Sequence, residues 1–400
     1  MAAKLALLAS GASRGPARSR PHGQRRPLQQ PRFPLPRPLP GPSGQPRDPD
    51  LDIGALALDQ WEGLLSGDAL KAPAIDNALL VSLADAGWEA HLSPKWAGAT
   101  LGDAAKLMGV LNDATNEHVL EAREFTQAEL DAVPTEFDWR TDPRAAKCPS
   151  LKEIRDQANC GSCWAFGSTE AMTDRMCIAS NGTVTTHLSA QDVTSCDKLG
   201  DMGCSGGIPS SVYSYWALSG IVDGGNYGDK SGCWSYQLEP CAHHVNSSKY
   251  PACPDEVRAP KCARKCESED KDWTKAKVKG EKGYSVCQQG ELEGTCAVKM
   301  AADIYQNGPI TGMFFVKQDF LAYKSGVYEP KLLSPPLGGH AIKIMGFGTE
   351  DGKDYWLVAN SWNEDWGDDG YFKIIRGKNA CQIEDPVING GPVAGHPKSA

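Results

Sequence analysis

Fourteen of the 400 residues are cysteine, and all fourteen fall between Cys148 and Cys381. Cysteines crowded into one part of a chain read as disulfides formed in an oxidising compartment, or as metal sites. A zinc site wants paired short knuckles of the Cys-x-x-Cys or His-x-x-His type. Only Cys160 and Cys163 have that spacing, and no second such pair completes a four-thiolate site. The expectation is a disulfide-rich body with no metal and no cofactor.

The rest of the chain divides by composition. Residues 1–50 hold eleven of the 28 prolines and nine Lys/Arg against only Asp48 and Asp50. Proline at that density permits neither helix nor sheet interior, so the stretch reads as an extended leader. Its start, Lys4 followed by Leu5 to Ala9, has the order of a secretory signal, while its arginines and few acids also suit an organellar transit segment. Residues 51–132 carry 14 acids against 4 Lys/Arg and no cysteine. Apolar residues at helical spacing around Trp61, and from Leu101 through Leu107 to Leu111, predict a small helical unit. Beyond residue 300, short β-prone runs at residues 341–345, 355–359 and 371–375 are separated by Gly and Asp turns. A helical first half and a strand-rich second half predict two lobes with a cleft between them.

A formal charge of −9 gives no whole-chain case for nucleic-acid binding. No stretch reaches the roughly 18 continuous apolar residues of a membrane-spanning helix.

Chemistry concentrates at Cys163. Trp164, Ala165, Ala171, Met172 and Met176 fit a helix from Cys163 to about Ser180, stopped by Asn181-Gly182. A thiol at a helix N-terminus faces unpaired backbone N–H groups and the positive dipole end, which favour the nucleophilic thiolate. Gln157, six residues upstream, can supply a side-chain N–H to an oxyanion. His340 follows Gly338-Gly339, and Asn360-Ser361-Trp362 follows twenty positions later.

In that order, Gln157, Cys160-Gly-Ser-Cys163-Trp164, His340 and Asn360 resemble the papain family of cysteine peptidases. The resemblance runs from about Val133 to Gly391, with further matches at Cys204-Ser-Gly206-Gly207, Gln306-Asn-Gly-Pro309 and Lys324-Ser-Gly-Val-Tyr328. It implies an α+β, two-lobed fold with a helical left lobe and a β-barrel-like right lobe. It also implies roles: Cys163 as nucleophile, His340 as base, Asn360 orienting the imidazole, Trp362 covering their hydrogen bond, Gln157 in the oxyanion hole. Gly206 and Gly207 would line the non-primed side of the cleft. Residues 133–391 become the peptidase domain, residues 392–400 a tail. Residues 51–132 become an inhibitory propeptide, with weak matches at Trp88-Glu-Ala and Lys106-Leu-Met-Gly.

Cys163 and His340 stand 177 positions apart, more than the roughly 130–150 of compact members. The extra length includes Pro240-Cys241-Ala242-His243-His244, which resembles the occluding loop of cathepsin B-like members, here about residues 239–254. In that branch the two histidines bind a substrate's C-terminal carboxylate, so dipeptides are removed from the C-terminus. Imidazolium suits that role in acid. The loop latches would be Asp156 with His243 and Lys249 with Asp365. Lysine stands where the family commonly has arginine, keeping charge but losing bidentate geometry.

By position the resemblance implies bridges Cys148–Cys177, Cys160–Cys204, Cys196–Cys262, Cys233–Cys266 and Cys241–Cys253. One family bridge is missing, both of its positions, near Asp197 and Asp201, lacking cysteine together. Cys287 with Cys296 would form an additional bridge and Cys381 stay unpaired. Where the branch carries a glutamate at the base of its main specificity pocket, this sequence has Pro386, which implies apolar residues rather than arginine there. Asn181 and Asn246 head glycosylation sequons.

The implied activity is a zymogen of a cysteine-type endopeptidase and peptidyl-dipeptidase, working as a monomer on protein and peptide substrates. Its own propeptide would be its inhibitor, and its place lysosomal, vacuolar or extracellular. A catalytically impaired relative acting as a secreted binding protein is the competing reading, but such proteins typically lose the nucleophile. A zinc or disulfide interaction module would not need the ordered triad.

Overall fold

The computed structural model describes residues 67–111, 118–242, 249–254, 257–288, 291, 294–332, 334–385 and 392–398, all within the unit from Asp48 to Ala400. The stretch around Trp61, both loop histidines His243 and His244, Asn246 and Pro386 lie outside the described residues.

The N-terminal segment is built from short capped pieces. Helix α1 (Asn77–Ser82) starts where the Asp76 carboxylate accepts the Leu79 N–H at 2.7 Å. Strand β1 (Glu89–Ala90) follows. Helix α2 (Leu101–Ala105) carries a reciprocal Thr100/Asp103 capping box. Helical spacing predicts that this helix runs on to Leu111, but it stops at Ala105. Lys106 and Leu107 form a turn, and residues 109–111 run on in extended form, because their backbone groups pair with Gly207 and Gly339. Tertiary pairing overrides local periodicity here. Helix α3 (Gln127–Asp131) closes the segment with a Thr126/Glu129 capping box.

The left lobe is helical. Helix α4 (Cys163–Ala179) is buried from Cys163 through Cys177, so it is a central helix rather than the one-sided helix its apolar spacing predicts. Positive φ at Asn181 and Gly182 ends it. Helices α5 (Ala190–Cys196) and α6 (Pro209–Leu218) pack against it. Trp164, Met172, Met176, Val193, Val212, Tyr213 and Trp216 form one apolar cluster.

The right lobe is one sheet. Strand β2 (Phe137–Asp138) pairs with β9 (Pro336–Glu350), and a small ladder of β3 (Ile221–Val222) with β4 (Lys277–Val278) lies outside it. The main order is β5 (Tyr284–Ser285), β12 (Val393–Ala394), β6 (Ile310–Lys317), β9 (Pro336–Glu350), β10 (Lys353–Ala359), β11 (Tyr371–Ile375), β8 (Val327–Tyr328). Its edge strands β5 and β8 do not pair, so among the described residues the sheet is open rather than closed into the barrel-like form the resemblance implies. Strand β7 (Tyr323–Ser325) pairs with β1, and helix α7 (Thr295–Asn307) packs on the sheet. Long strand β9 is central: Phe314 of β6 faces His340 and Ala359 of β10 faces Lys343. His340 therefore sits inside a strand, not at its start.

Six disulfides staple these parts: Cys148–Cys177, Cys160–Cys204, Cys196–Cys262, Cys233–Cys266, Cys241–Cys253 and Cys287–Cys296. Cys163 and Cys381 are free thiols. Among the described residues no helix is long and apolar enough to cross a membrane.

Candidate active site

Cys163 is the first residue of α4, and Ser162 before it offers no side-chain cap. The Ser162 hydroxyl bonds instead to Tyr236 Oη at 2.9 Å, and Tyr236 donates to the Gln157 carbonyl at 2.8 Å. The backbone amides of Cys163 and Trp164 are thus left facing the sulfur, where both favour its thiolate, as does the backbone of Ala341. Opposite, β9 presents His340, fully buried. Asn360 Oδ1 lies 2.8 Å from His340 Nε2 and also accepts the Ser361 N–H at 2.8 Å. An atom that accepts from a backbone amide is an oxygen, so Nε2 carries the hydrogen between ring and amide. That leaves Nδ1, which has no hydrogen-bond partner of good geometry, as the basic nitrogen. Trp362 lies over the imidazole with ring centroids 4.8 Å apart.

Gln157 is positioned from both ends. Its Oε1 accepts from Ser361 Oγ at 2.8 Å, and its backbone N–H donates to the Ser361 carbonyl at 2.9 Å. Nε2 is thereby aimed at the cleft, donating to the Cys160 carbonyl at 2.7 Å and the Leu107 carbonyl at 3.1 Å. Ser361 and Tyr236 are the site residues that sequence reasoning missed. Ser361 was available inside Asn360-Ser361-Trp362; nothing local marks Tyr236.

The cleft is filled by the chain's own residues 106–111. The Gly109 N–H points at Cys163 Sγ, 3.2 Å away. Gly207 donates to the Gly109 carbonyl at 2.9 Å, Leu111 to the Gly207 carbonyl at 3.0 Å, and Val110 to the Gly339 carbonyl at 3.1 Å. A side chain at Gly109 would meet the Gly161 carbonyl oxygen at 1.9 Å, and one at Gly207 would meet Trp164 at 2.3 Å. Both sides of this crossing therefore need glycine. Burial beneath the segment pushes the Cys163 thiol up to about 11, against the opposing backbone amides. Burial likewise pushes His340 down to about 4, against Asn360 and the Leu107 carbonyl. In this covered state the pair is neutral thiol and neutral imidazole across most of the pH range.

The segment is also held away from the cleft. Trp96 packs edge-on against Trp362 at 5.2 Å, and Trp88 against Tyr328 at 5.2 Å, donating to the Glu329 carbonyl at 3.2 Å. Glu89 accepts from Lys324 at 2.6 Å and Ser325 at 2.8 Å, and these contacts hold its pKa low.

Around the loop base, Cys241–Cys253 and the Ala242 N–H to Pro251 carbonyl bond of 2.7 Å pinch the described ends together. Lys249 Nζ reaches Asp365 Oδ1 at 2.9 Å. Asp156 accepts from Asn363 Nδ2 at 2.9 Å and from the Ala158 N–H at 2.8 Å, with Lys95 Nζ at 3.9 Å. Gly206 adopts φ +113 beside Leu111. Glu384, near the expected specificity-pocket base, is committed elsewhere: its carboxylate accepts from Trp356 Nε1 at 2.8 Å and from the Gly377 and Asn379 amides. Asn181 is exposed in the turn after α4.

Asp197 and Asp201 share a hydrogen bond between their side chains where the resemblance implies a lost disulfide. Asp201 also accepts from the Ile208 N–H and from Ser211 Oγ, both at 2.7 Å. Burial is the main cause that pushes Asp197 up to about 6 and, with the Asp197 charge, Asp201 up to about 9.

Known proteins match this arrangement. Residues 133–390 match the model of the papain family cysteine proteases. A cathepsin B-like cysteine proteinase 4 of Caenorhabditis elegans is 45% identical over 265 residues, covering 66% of this chain and 76% of its own length. A cathepsin B-like cysteine proteinase of Schistosoma japonicum is 40% identical, covering 76% of this chain and 86% of its own. Among solved structures, the procathepsin B S9 of Trypanosoma congolense superposes with a TM-score of 0.67 at 30% identity, over 82% of this chain and all of its own. The chain belongs to the papain family of cysteine proteases, in its cathepsin B-like branch.

Proposed function

We propose that the protein is a zymogen whose residues 51–132 form an inhibitory propeptide, and whose processed form is an endopeptidase and C-terminal peptidyl-dipeptidase. One observation carries the zymogen reading: an amide N–H of Gly109, not a carbonyl carbon, faces Cys163 Sγ. A sulfur needs a carbonyl carbon to acylate, so the segment occupies the cleft without being a substrate. Acid loosens it in part through Glu89, whose depressed pKa means that its contacts with Lys324 and Ser325 are lost as pH falls through that value.

Once the cleft is open to water, the desolvation that separates thiol and imidazole is relieved. Proton transfer from Cys163 to Nδ1 of His340 gives the thiolate–imidazolium pair. The thiolate attacks the substrate carbonyl, while Gln157 Nε2 and the Cys163 amide stabilise the oxyanion. His340 protonates the leaving amine, then activates water against the thioester. His243 and His244 would bind the substrate's terminal carboxylate, with the loop held by Lys249 and Asp365. A lysine latch lacks the bidentate fork of arginine, which favours opening of that loop, hence more endopeptidase action. Pro386 favours Phe, Leu or Val two residues before the scissile bond. The six disulfides suit a lysosomal, vacuolar or extracellular setting.

The test is acid processing followed by active-site titration with a thiol-directed epoxide, comparing wild type with Cys163→Ala. Stoichiometric labelling of wild type alone is expected; an unlabelled Cys163 sinks the enzyme reading. Lys249→Ala should raise the endo- to exopeptidase ratio. A Phe-Arg substrate should be cleaved well ahead of an Arg-Arg one.

A further inference from the structure

Cys163 and His340 are carried by different elements, so something must fix helix α4 against strand β9. Cys163, Gly167, Glu170 and Asp174 recur along one face of α4. Gly167 is where the two backbones touch, since a side chain there would meet the Ile342 nitrogen at 3.0 Å and the Ala341 carbonyl carbon at 3.1 Å. Three residues past His340, Lys343 reaches back across this contact. Its Nζ lies 2.9 Å from Asp174, 3.8 Å from Glu170 and 3.4 Å from the Ser150 carbonyl, with all three charged side chains buried.

We propose that Lys343 is a positioning residue: its ion pair with Asp174 and its contact with Glu170 tie the strand of His340 to the helix of Cys163 and hold the two groups at reacting distance. The proposal rests on the cysteine-peptidase reading of this site.

Neither Asp174 carboxylate oxygen has a hydrogen bond of good geometry among the described residues, and Lys343 Nζ, 2.9 Å away, is the cation set against it. Lys343 is therefore its charge partner. Burial pulls Lys343 down, but Asp174 and Glu170 outweigh it and leave its pKa raised. Glu170 is pushed up to about 7 by burial, against the charges of Lys343 and Arg155, with Asp174 and Glu153 reinforcing the rise. Tyr371 also faces Lys343. A buried pair of this kind is a poor source of stability, because neutral side chains of equal volume often replace it without loss. What it supplies is direction. Asp174 lies eleven residues from Cys163, or about 16 Å of helix. A tilt of about 4° around that end moves the sulfur by about 1 Å, a displacement that can cost up to ~100-fold in rate.

Lys343→Met alone strands the Asp174 charge and can fail to fold, so the decisive variant is Lys343→Met with Asp174→Asn, neutral on both sides. Processed enzyme is counted by active-site titration, so that kcat refers only to folded sites. The double variant is expected to keep KM within about twofold and lose about tenfold or more in kcat per titrated site, as misplacement without lost substrate contacts predicts. Its rate of alkylation by iodoacetamide should need a higher pH than wild type, because the thiolate–imidazolium pair is weakened. Lys343→Arg should recover kcat to within about threefold, since it keeps the charge. Wild-type kcat and alkylation profile in the double variant would overturn the proposal. So would a loss confined to the titrated fraction, which marks a folding role only. If wild type itself took no label at Cys163, the peptidase reading would fall and this proposal with it.

Discussion

Gly109→Ala gives the sharpest test of how the N-terminal segment silences the site. The new methyl would lie 1.9 Å from the Gly161 carbonyl oxygen, and that atom belongs to backbone held beside the Cys160–Cys204 bridge. Since close-packed interiors do not absorb such overlap, the segment has to retreat by roughly 1 Å. Four bonds converge within three residues there: Gly109 to Sγ, Gly207 to Gly109, Leu111 to Gly207 and Val110 to Gly339. Losing three at about 1 kcal/mol each costs about 3 kcal/mol, or about a hundredfold in the fraction of molecules with an open cleft. Trp88 and Trp96 stay docked, so the proform should still fold. The assay is the rate at which intact proform, checked by gel for absence of processing, is labelled by a thiol-directed epoxide at neutral pH. A rate about a hundredfold above wild-type proform is expected. Labelling within twofold of wild type would refute the argument that this crossing, rather than the aromatic anchors, closes the cleft.

The aromatic anchor and the paired acids give two further expectations. Trp96→Ala removes a fully buried ring stacked edge-on against Trp362; at about 3–5 kcal/mol for such a truncation, the pH midpoint of acid processing should move upward, and an unmoved midpoint would count against docking through Trp96. Asp197 and Asp201 have folded pKa values above those of the unfolded chain, so their stabilising effect is complete below the ordinary carboxylate range and is lost as pH rises through about 6 and then about 9. The unfolding free energy of processed enzyme should therefore fall between pH 5 and pH 8.5, by at most about 1.4 kcal/mol per pH unit for each proton, and its thermal midpoint with it. Asp201→Asn should flatten that slope; an unchanged slope would mean other groups cause it.

The candidate site was legible in sequence because each member sits in a short local pattern: Gln157 and Cys163 in one run, His340 behind two glycines, Asn360 before Ser361-Trp362. Helix α4 was legible at both ends, its start at Cys163 and its stop at Asn181-Gly182. What sequence could not carry is pairing between distant segments. Residues 106–111 read as helix because Leu107 and Leu111 keep helical spacing; only Gly207 and Gly339, far along the chain, draw residues 109–111 into an extended course. Tyr236 is hidden for the same reason, since its role depends on meeting Ser162 and Gln157 in space. Lys343 carries no local signal either, since its part depends on the two acids that α4 sets against it. Strand β9 was underestimated in length because its glycines, Gly338, Gly339, Gly346 and Gly348, read as turns. Three of them, Gly339, Gly346 and Gly348, are instead places where Val110, Phe137 and Tyr355 approach its backbone closely.

The Gly109 amide over Cys163 also bears on how the chain reaches its native cross-links. Twelve of the thirteen other cysteines must sort themselves into six bridges, and Cys160, three residues from Cys163, has to find Cys204. Disulfide exchange runs through an accessible thiolate. With no exposed surface and a pKa pushed up to about 11, Cys163 offers neither access nor charge once the N-terminal segment has settled. The segment that blocks the cleft is then also a protecting group in the chemist's sense. It masks one sulfur while twelve others are oxidised, and its removal returns that sulfur unspent.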